Sequence, residues 1–170
     1  RLLFAGTDPS KIGTTATIGS YNYNNLKNNP TYVGYMYSNT LNVSYEDTIS
    51  NDNDSIVKTK LDAWYKTNIL DKGFASYVAD SGFCNDRSIA SDSVGKGATS
   101  SENTYYSGRY RYYNKIPSYI CQNKSNDLFT LIGNDTGNSK LTYPIGMITV
   151  DEVMFSGYVN GYLNRMSYTH

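Results

Sequence analysis

The sequence predicts an α+β fold, and three observations carry that prediction. Residues 55–68 hold apolar side chains at helical spacing, and residues 32–37 alternate as a strand does. Residues 149–157 combine a capping box with a closing glycine, the signature of a short helix. The chain's 170 residues suit a single domain over 1–170, and no internal repeat divides them. The expected architecture has two or three helices beside small antiparallel sheets.

Taken in order, Leu2 to Phe4 reads as a strand closed by the turn Gly6-Thr7-Asp8-Pro9-Ser10, and residues 12–29 read as loop with room for a short strand. In the next strand Val33, Tyr35 and Tyr37 share one face, with Tyr32 and Met36 on the other. The helix at 55–68 follows, with Asn53 or Asp54 placed to cap it. Val57, Leu61, Trp64 and Tyr65 form its apolar stripe, which puts Trp64 in the core. Lys58 with Asp62 and Asp62 with Lys66 form four-residue charge pairs assigned to the solvent side. The run Asn51-Asp52-Asn53-Asp54-Ser55 alternates oxygen-bearing side chains as calcium loops do. It lacks their central glycine and distal glutamate, and helix capping accounts for it.

Residues 73–80 predict a short helix with Phe74, Tyr77 and Val78 on one side, and residues 83–88 an ordered segment around Cys84. Residues 90–103 are rich in Ser and Gly and predict a mobile surface loop. The aromatic run 105–113 reads as an irregular strand with packed Tyr rings and solvated Arg109 and Arg111 heads. A short strand at 127–131 and a turn at 134–139 come next. From Leu141 the pattern is strand, sharp turn at Pro144, then helix. Thr149 is the N-cap, Glu152 completes the box, Val150, Val153 and Met154 face inward, and Gly157 is the stop.

Composition narrows the function classes. Lys plus Arg and Asp plus Glu number 15 each, so nothing favours nucleic acid or an anionic membrane as partner. No apolar run is long enough to span a bilayer. Eighteen tyrosines offset a shortage of aliphatic side chains, and with Asn, Ser and Gly they make the composition of adaptable binding surfaces. The chain opens at Arg1 without an initiator Met, so it reads as a mature or excised piece lacking an upstream export or leader segment. Cys84 and Cys121 form no CxxC pair and lack a metal-ligating cluster. An exported chain joins them, which stabilises by roughly 3.8 kcal/mol in the chain-entropy model. A cytosolic chain keeps two separate buried thiols.

Catalytic signals are scarce. The sole histidine is the terminal His170, and no nucleophile elbow, P-loop, dinucleotide or zinc-protease motif occurs. Asp151 and Glu152 read as helix-capping acids, and Asp86 with Arg87 as a structural pair. The expectation is therefore no enzyme activity, no cofactor and no metal.

The segments Val33-Gly34-Tyr35-Met36-Tyr37, Trp64-Tyr65-Lys66-Thr67-Asn68, Phe83-Cys84-Asn85-Asp86-Arg87-Ser88, Asn126-Asp127-Leu128-Phe129 and Leu141 to Glu152 occur in that order. Together, from Val33 to Gly157, the chain resembles a large group of secreted proteins of gut bacteria. That group is similar to the C-type-lectin-like fold in its formylglycine-generating-enzyme variety, where strand, threonine cap, acidic helix and glycine recur. The resemblance implies an exported α+β domain that displays a recognition or adhesion surface. Some such domains are variable receptors, and others are carried on pilin-like leaders. The enzymatic branch uses a copper-binding cysteine pair that Cys84 and Cys121 do not match, so that activity is not carried over. Members of the group continue past the capped helix into a Trp-containing strand and further sheet, whereas this chain ends at His170, so the expectation is a fold incomplete at its C-terminus or one whose last strands differ. The expected contacts for an unidentified protein or glycan ligand are Tyr158, Asn160, Tyr162, Asn164 and Arg165. Self-association into an extracellular filament or pilus is the alternative.

Overall fold

The computed structural model describes residues 6, 8, 10, 17–24, 29, 32–38, 44–97, 102–132 and 136–157. Among them the fold is α+β, with five α-helices and two two-stranded antiparallel sheets. Strand β1 (Met36–Tyr37) pairs with β2 (Asn53–Asp54), and β3 (Phe83–Cys84) pairs with β4 (Leu128–Phe129). The helices are α1 (Tyr45–Thr48), α2 (Ile56–Tyr65), α3 (Ser107–Asn114), α4 (Lys124–Asp127) and α5 (Val150–Phe155). The helix count exceeds the sequence expectation because α1 and α4 are single turns and α3 lies where the sequence reads as strand. The expected strand at Leu2–Phe4 lies outside the described residues.

The core gathers Tyr35, Met36, Val57, Leu61, Phe129 and Leu141, with Phe83, Leu131 and Ile145 packed against them. Tyr35 meets Phe129 edge to face at 5.4 Å between ring centroids, the favoured arrangement of two aromatic quadrupoles. Leu141 is buried but contributes one parallel bridge to Leu131 in place of the expected strand.

Helix α2 forms where periodicity places it, and Val57, Leu61 and Tyr65 are buried on one face. Its N-cap is Ser55 rather than Asn53 or Asp54, and the Ser55 hydroxyl accepts from the Lys58 N–H at 3.0 Å. Trp64 is only half-buried, because the core face is completed by Tyr65, whose ring stacks on Tyr143 at 5.0 Å. Lys58 is 1 % exposed and not on the wet side as expected. Its ammonium donates to Asp54 at 3.1 Å, Asp62 at 2.8 Å and Thr142 at 3.3 Å, which satisfies its three donors. Lys66 pairs with Asp71, not Asp62, because the helix widens into a π turn over Lys66–Leu70. The segment beyond holds only a 3-10 turn at Ala75–Tyr77, and Phe74 and Tyr77 face solvent where a packed helical side was expected.

A second buried cation ties the sheets together. Arg87 is 1 % exposed and donates through Nε to Asp127 at 2.7 Å and through Nη1 to the Met36 carbonyl at 2.8 Å. Its Nη2 reaches Asn51 Oδ1 at 2.9 Å and the Asn126 carbonyl at 3.0 Å. One guanidinium therefore joins β1, the turn before β2 and the α4–β4 junction. Gly34, at φ +109°, makes room for it, since a Cβ there would lie 2.7 Å from Arg87 Cδ. Arg87 thus pairs with Asp127 and not with its neighbour Asp86. The segment expected to be a mobile loop is anchored where it is described. Ser93, Gly95 and Gly97 are buried, and Gly95 N–H donates to the Asn103 carbonyl.

Candidate functional site

The capping box at Thr149 forms as the sequence predicts. The Thr149 hydroxyl accepts from the Glu152 N–H at 3.1 Å, and Glu152 Oε2 accepts from the Thr149 N–H at 2.8 Å. Gly157 closes the segment at φ +95°. This start sets the first turn of α5 so that Asp151 faces α3, and the two helices pack together. Gly108 permits the approach, since a Cβ there would lie 3.0 Å from Val150 Cγ1.

Across that junction Arg111 holds two carboxylates. Its Nε and Nη2 donate to Asp151 at 2.7 and 2.6 Å, a bidentate fork, and its Nη1 donates to Asp86 at 2.7 Å. Asp151 also accepts from the Ser118 N–H at 2.9 Å, and Asp86 from the Ser88 N–H at 3.0 Å. The Asp151 bond raises Arg111 above its ordinary basicity, against the opposing effect of burial and with further help from Asp86. The sequence reading of Asp151 as a capping acid is therefore incomplete, and its reading of Arg111 as solvated is overturned. The run 105–113 is helical, and helical phase turns Arg111 inward while Arg109 stays at the surface, 3.8 Å over the Tyr105 ring.

The disulfide joins Cys84 to Cys121, with Cα atoms 5.7 Å apart. Cys84 sits on β3 against β4, so the bond anchors the far end of the loop that contains α3. It also brings residues 118–120 over the Asp86–Arg111–Asp151 cluster, where Tyr119 stacks on Phe155 at 3.9 Å between centroids.

Between these parts lies a cavity of about 240 Å³. Its inner wall holds Tyr35, Phe83 and Phe129, and its polar wall holds Asp86, Arg111, Asp151 and Glu152. Tyr35 donates its hydroxyl to the Ile145 carbonyl at 3.2 Å, and burial pushes that hydroxyl far above the usual tyrosine range. Tyr23 reaches Met147 Sδ at 3.1 Å along the mouth. The rim is apolar and open: Tyr119, Ile120, Met147, Ile148 and Val150 all line the cavity and all are exposed, Tyr119 by 72 % and Ile120 by 66 %. Gly146 shapes the opening, because a Cβ there would strike the Phe83 ring.

The expected contact residues Tyr158, Asn160, Tyr162, Asn164 and Arg165 lie outside the described residues. Of the residues that line the cavity, the sequence marks Asp151 and Glu152 as capping acids, Asp86 as half of a structural pair and Arg111 as a solvated head, and it gives Tyr119 and Ile120 no role; Val150, expected to face inward, is exposed at the rim. The signal for Arg111 was its spacing from Arg109: one helical phase buries one and exposes the other, a contrast that the strand reading hid. Among the described residues no group of three or more His, Cys, Asp or Glu is arranged to hold a metal ion. In the loop weighed as a calcium site, Asn51 is committed to Arg87 and Asn126. No family model, no curated protein and no solved structure matches this chain.

Proposed function

We propose that this chain is an extracellular recognition or adhesion domain of a bacterium, secreted or displayed at the cell surface, that binds its ligand without turnover at the cavity over Asp86, Arg111 and Asp151. The observation that carries this reading is the gathering of five exposed, large apolar side chains around a cavity with a polar wall. An exposed apolar patch rimming a pocket costs solubility and is the usual mark of a binding surface. The cross-link between Cys84 and Cys121 suits an oxidising compartment. No helix among the described residues is long and apolar enough to cross a membrane. The C-type-lectin-like reading draws support from the Thr149 capping box and the Gly157 stop, which recur at its signature.

The test is binding of the labelled domain to arrays of extracellular proteins and glycans. Ile120→Glu and Ile148→Glu, both at exposed rim positions, should abolish the signals. Ile132→Glu, exposed and not among the lining residues, should leave them. Signals that survive both rim changes, or an array with no signal at all, count against the reading. A structural subunit of a filament or pilus is the second reading. It is favoured by another exposed apolar group, Leu70, Phe74 and Tyr77, around the π and 3-10 turns. Light scattering that shows a monomer at high concentration removes it.

A further inference from the structure

One wall of the cavity is a strap with little to hold it down. Residues 116–120 carry no helix or strand, and none of them is buried. Ile116, Tyr119 and Ile120 are each more than half exposed. Among the described residues a single hydrogen bond, from the Ser118 N–H to Asp151 Oδ1 at 2.9 Å, joins residues 117–121 to the rest of the chain. Tyr119 adds its stack on Phe155, a ring that is itself exposed. A segment with so few buried contacts belongs to the low-stability end of a fold and opens locally at small cost. Its far end is different. Cys121 is buried and bonded to Cys84, which sits in β3 opposite Leu128 of β4. The disulfide is therefore the firm attachment of the strap, and Ser118, Tyr119 and Ile120 of that strap line the cavity.

From this arrangement, and on the reading of the cavity as the binding site, we infer that the Cys84–Cys121 bond is a redox latch: a dithiol reductant that opens it releases residues 117–121 and dismantles the binding face while the rest of the fold stands. In that step the dithiol gives up two electrons and two protons. The S–S bond breaks, Cys84 and Cys121 become thiols, and the reductant closes its own disulfide. Cys84 is half-buried and lines the cavity, so a small dithiol approaches the bond from that side. The strap then swings between two points that do not depend on the bond. At one, the Ile116 N–H donates to the Arg111 carbonyl at 3.1 Å, and at the other, the Asn123 carbonyl accepts from the Asp127 N–H at 2.7 Å. The frame around it also stands without the bond. Neither cysteine belongs to the hydrophobic cluster of Tyr35, Phe129 and Leu141, and Arg111 still fastens α3 to α5 through Asp151. What is lost is the wall: Tyr119 and Ile120 leave the rim, and Asp151 loses the Ser118 N–H.

The experiment measures backbone nitrogen relaxation of the intact domain before and after treatment with dithiothreitol, and of the variant Cys84→Ser/Cys121→Ser. In the oxidised domain the order parameters of Ser118, Tyr119 and Ile120 should be ~0.85, and reduction should take them below ~0.6. The contact between the Tyr119 and Phe155 rings should vanish from NOE spectra, while Leu61 and Leu141 keep their order parameters. The double variant should match the reduced protein and ignore dithiothreitol. Placed on arrays of extracellular proteins and glycans, it should lose the signals that the oxidised domain gives, and its use spares the disulfides of the array proteins. Unchanged order parameters at residues 118–120 after reduction overturn the latch and leave the cavity a binding site. So does a bond that dithiothreitol leaves intact in the folded domain, and so does unfolding that takes Leu61 and Leu141 along with the strap. A strap that is released while the array signals persist, or an array silent to the oxidised domain itself, overturns both the latch and the reading of the cavity beneath it.

Discussion

Replacing Arg111 by methionine removes the cation and keeps most of the apolar stem. In the native protein three charge-assisted hydrogen bonds of 2.6–2.7 Å run from this guanidinium to Asp86 and Asp151, with all three side chains at most a tenth exposed. Breaking a buried ion pair by removing one partner costs about 3–5 kcal/mol, most of it for the stranded charge. In a domain of this size each kcal/mol corresponds to roughly 2–4 °C, so Tm should fall by about 6–20 °C. Urea denaturation at pH 7 reads the deficit against wild type. Adding Asp151→Asn to Arg111→Met removes one of the two stranded charges and should recover part of the loss. A deficit under ~1 kcal/mol, or a double variant no more stable than Arg111→Met, would refute the claim that Arg111 offsets a buried acidic pair.

Three further outcomes follow from the same geometry. Replacing Cys84 and Cys121 by serine opens a 37-residue separation and should cost about 3.8 kcal/mol in denaturant melts, and a loss below ~1 kcal/mol would contradict the anchoring role given to the bond. Thr149→Ala removes the hydroxyl that accepts from Glu152 N–H and should cost about 1 kcal/mol, while Thr149→Ser should be close to neutral in the same assay. Tyr23, Tyr35, Tyr45, Tyr65 and Tyr106 have hydroxyls held above the ordinary tyrosine value, chiefly by burial. Their linked stability is fully present below about pH 10 and is lost above it, by up to ~1.4 kcal/mol per pH unit for each group. Tyrosinate absorbance should show these rings ionising at higher pH than the exposed tyrosines, Tyr35 and Tyr45 latest of all, and a fully folded protein whose tyrosines all ionise near pH 10 would contradict their burial.

The elements legible in the sequence were those whose local signals agree with their tertiary setting. Helix α2 has the 3.6-residue stripe of Val57, Leu61 and Tyr65, and α5 has Thr149, Glu152 and Gly157 at fixed offsets. The ends of α2 were less legible, because Asn53, Asp54 and Ser55 are all good caps and the choice depends on Asp54 joining β2. Helix α3 was misread for a physical reason. Its tyrosines favour strands, its N-cap Tyr106 makes no side-chain bond, and its C-cap Lys115 takes the left-handed conformation without a glycine to announce it. That misreading hid the candidate site, since Arg111 turns inward only on a helix. Buried cations were equally hidden. A sequence marks Lys58 and Arg87 as surface residues until their partners, Asp54, Asp62 and Asp127, are seen around them. Cys84 and Cys121 were legible as a pair, but not the consequence that their bond draws Tyr119 and Ile120 over the cavity.

The central claim is that the partner-binding face of this domain is the apolar-rimmed cavity over Asp86, Arg111 and Asp151. Amide hydrogen exchange of the domain, free and saturated with whichever array ligand it binds, tests that claim most directly. Protection should concentrate at residues 118–121 and 146–152, with little change at residues 70–77. Protection centred on Leu70 to Tyr77, with residues 118–121 and 146–152 unaffected, would contradict the account.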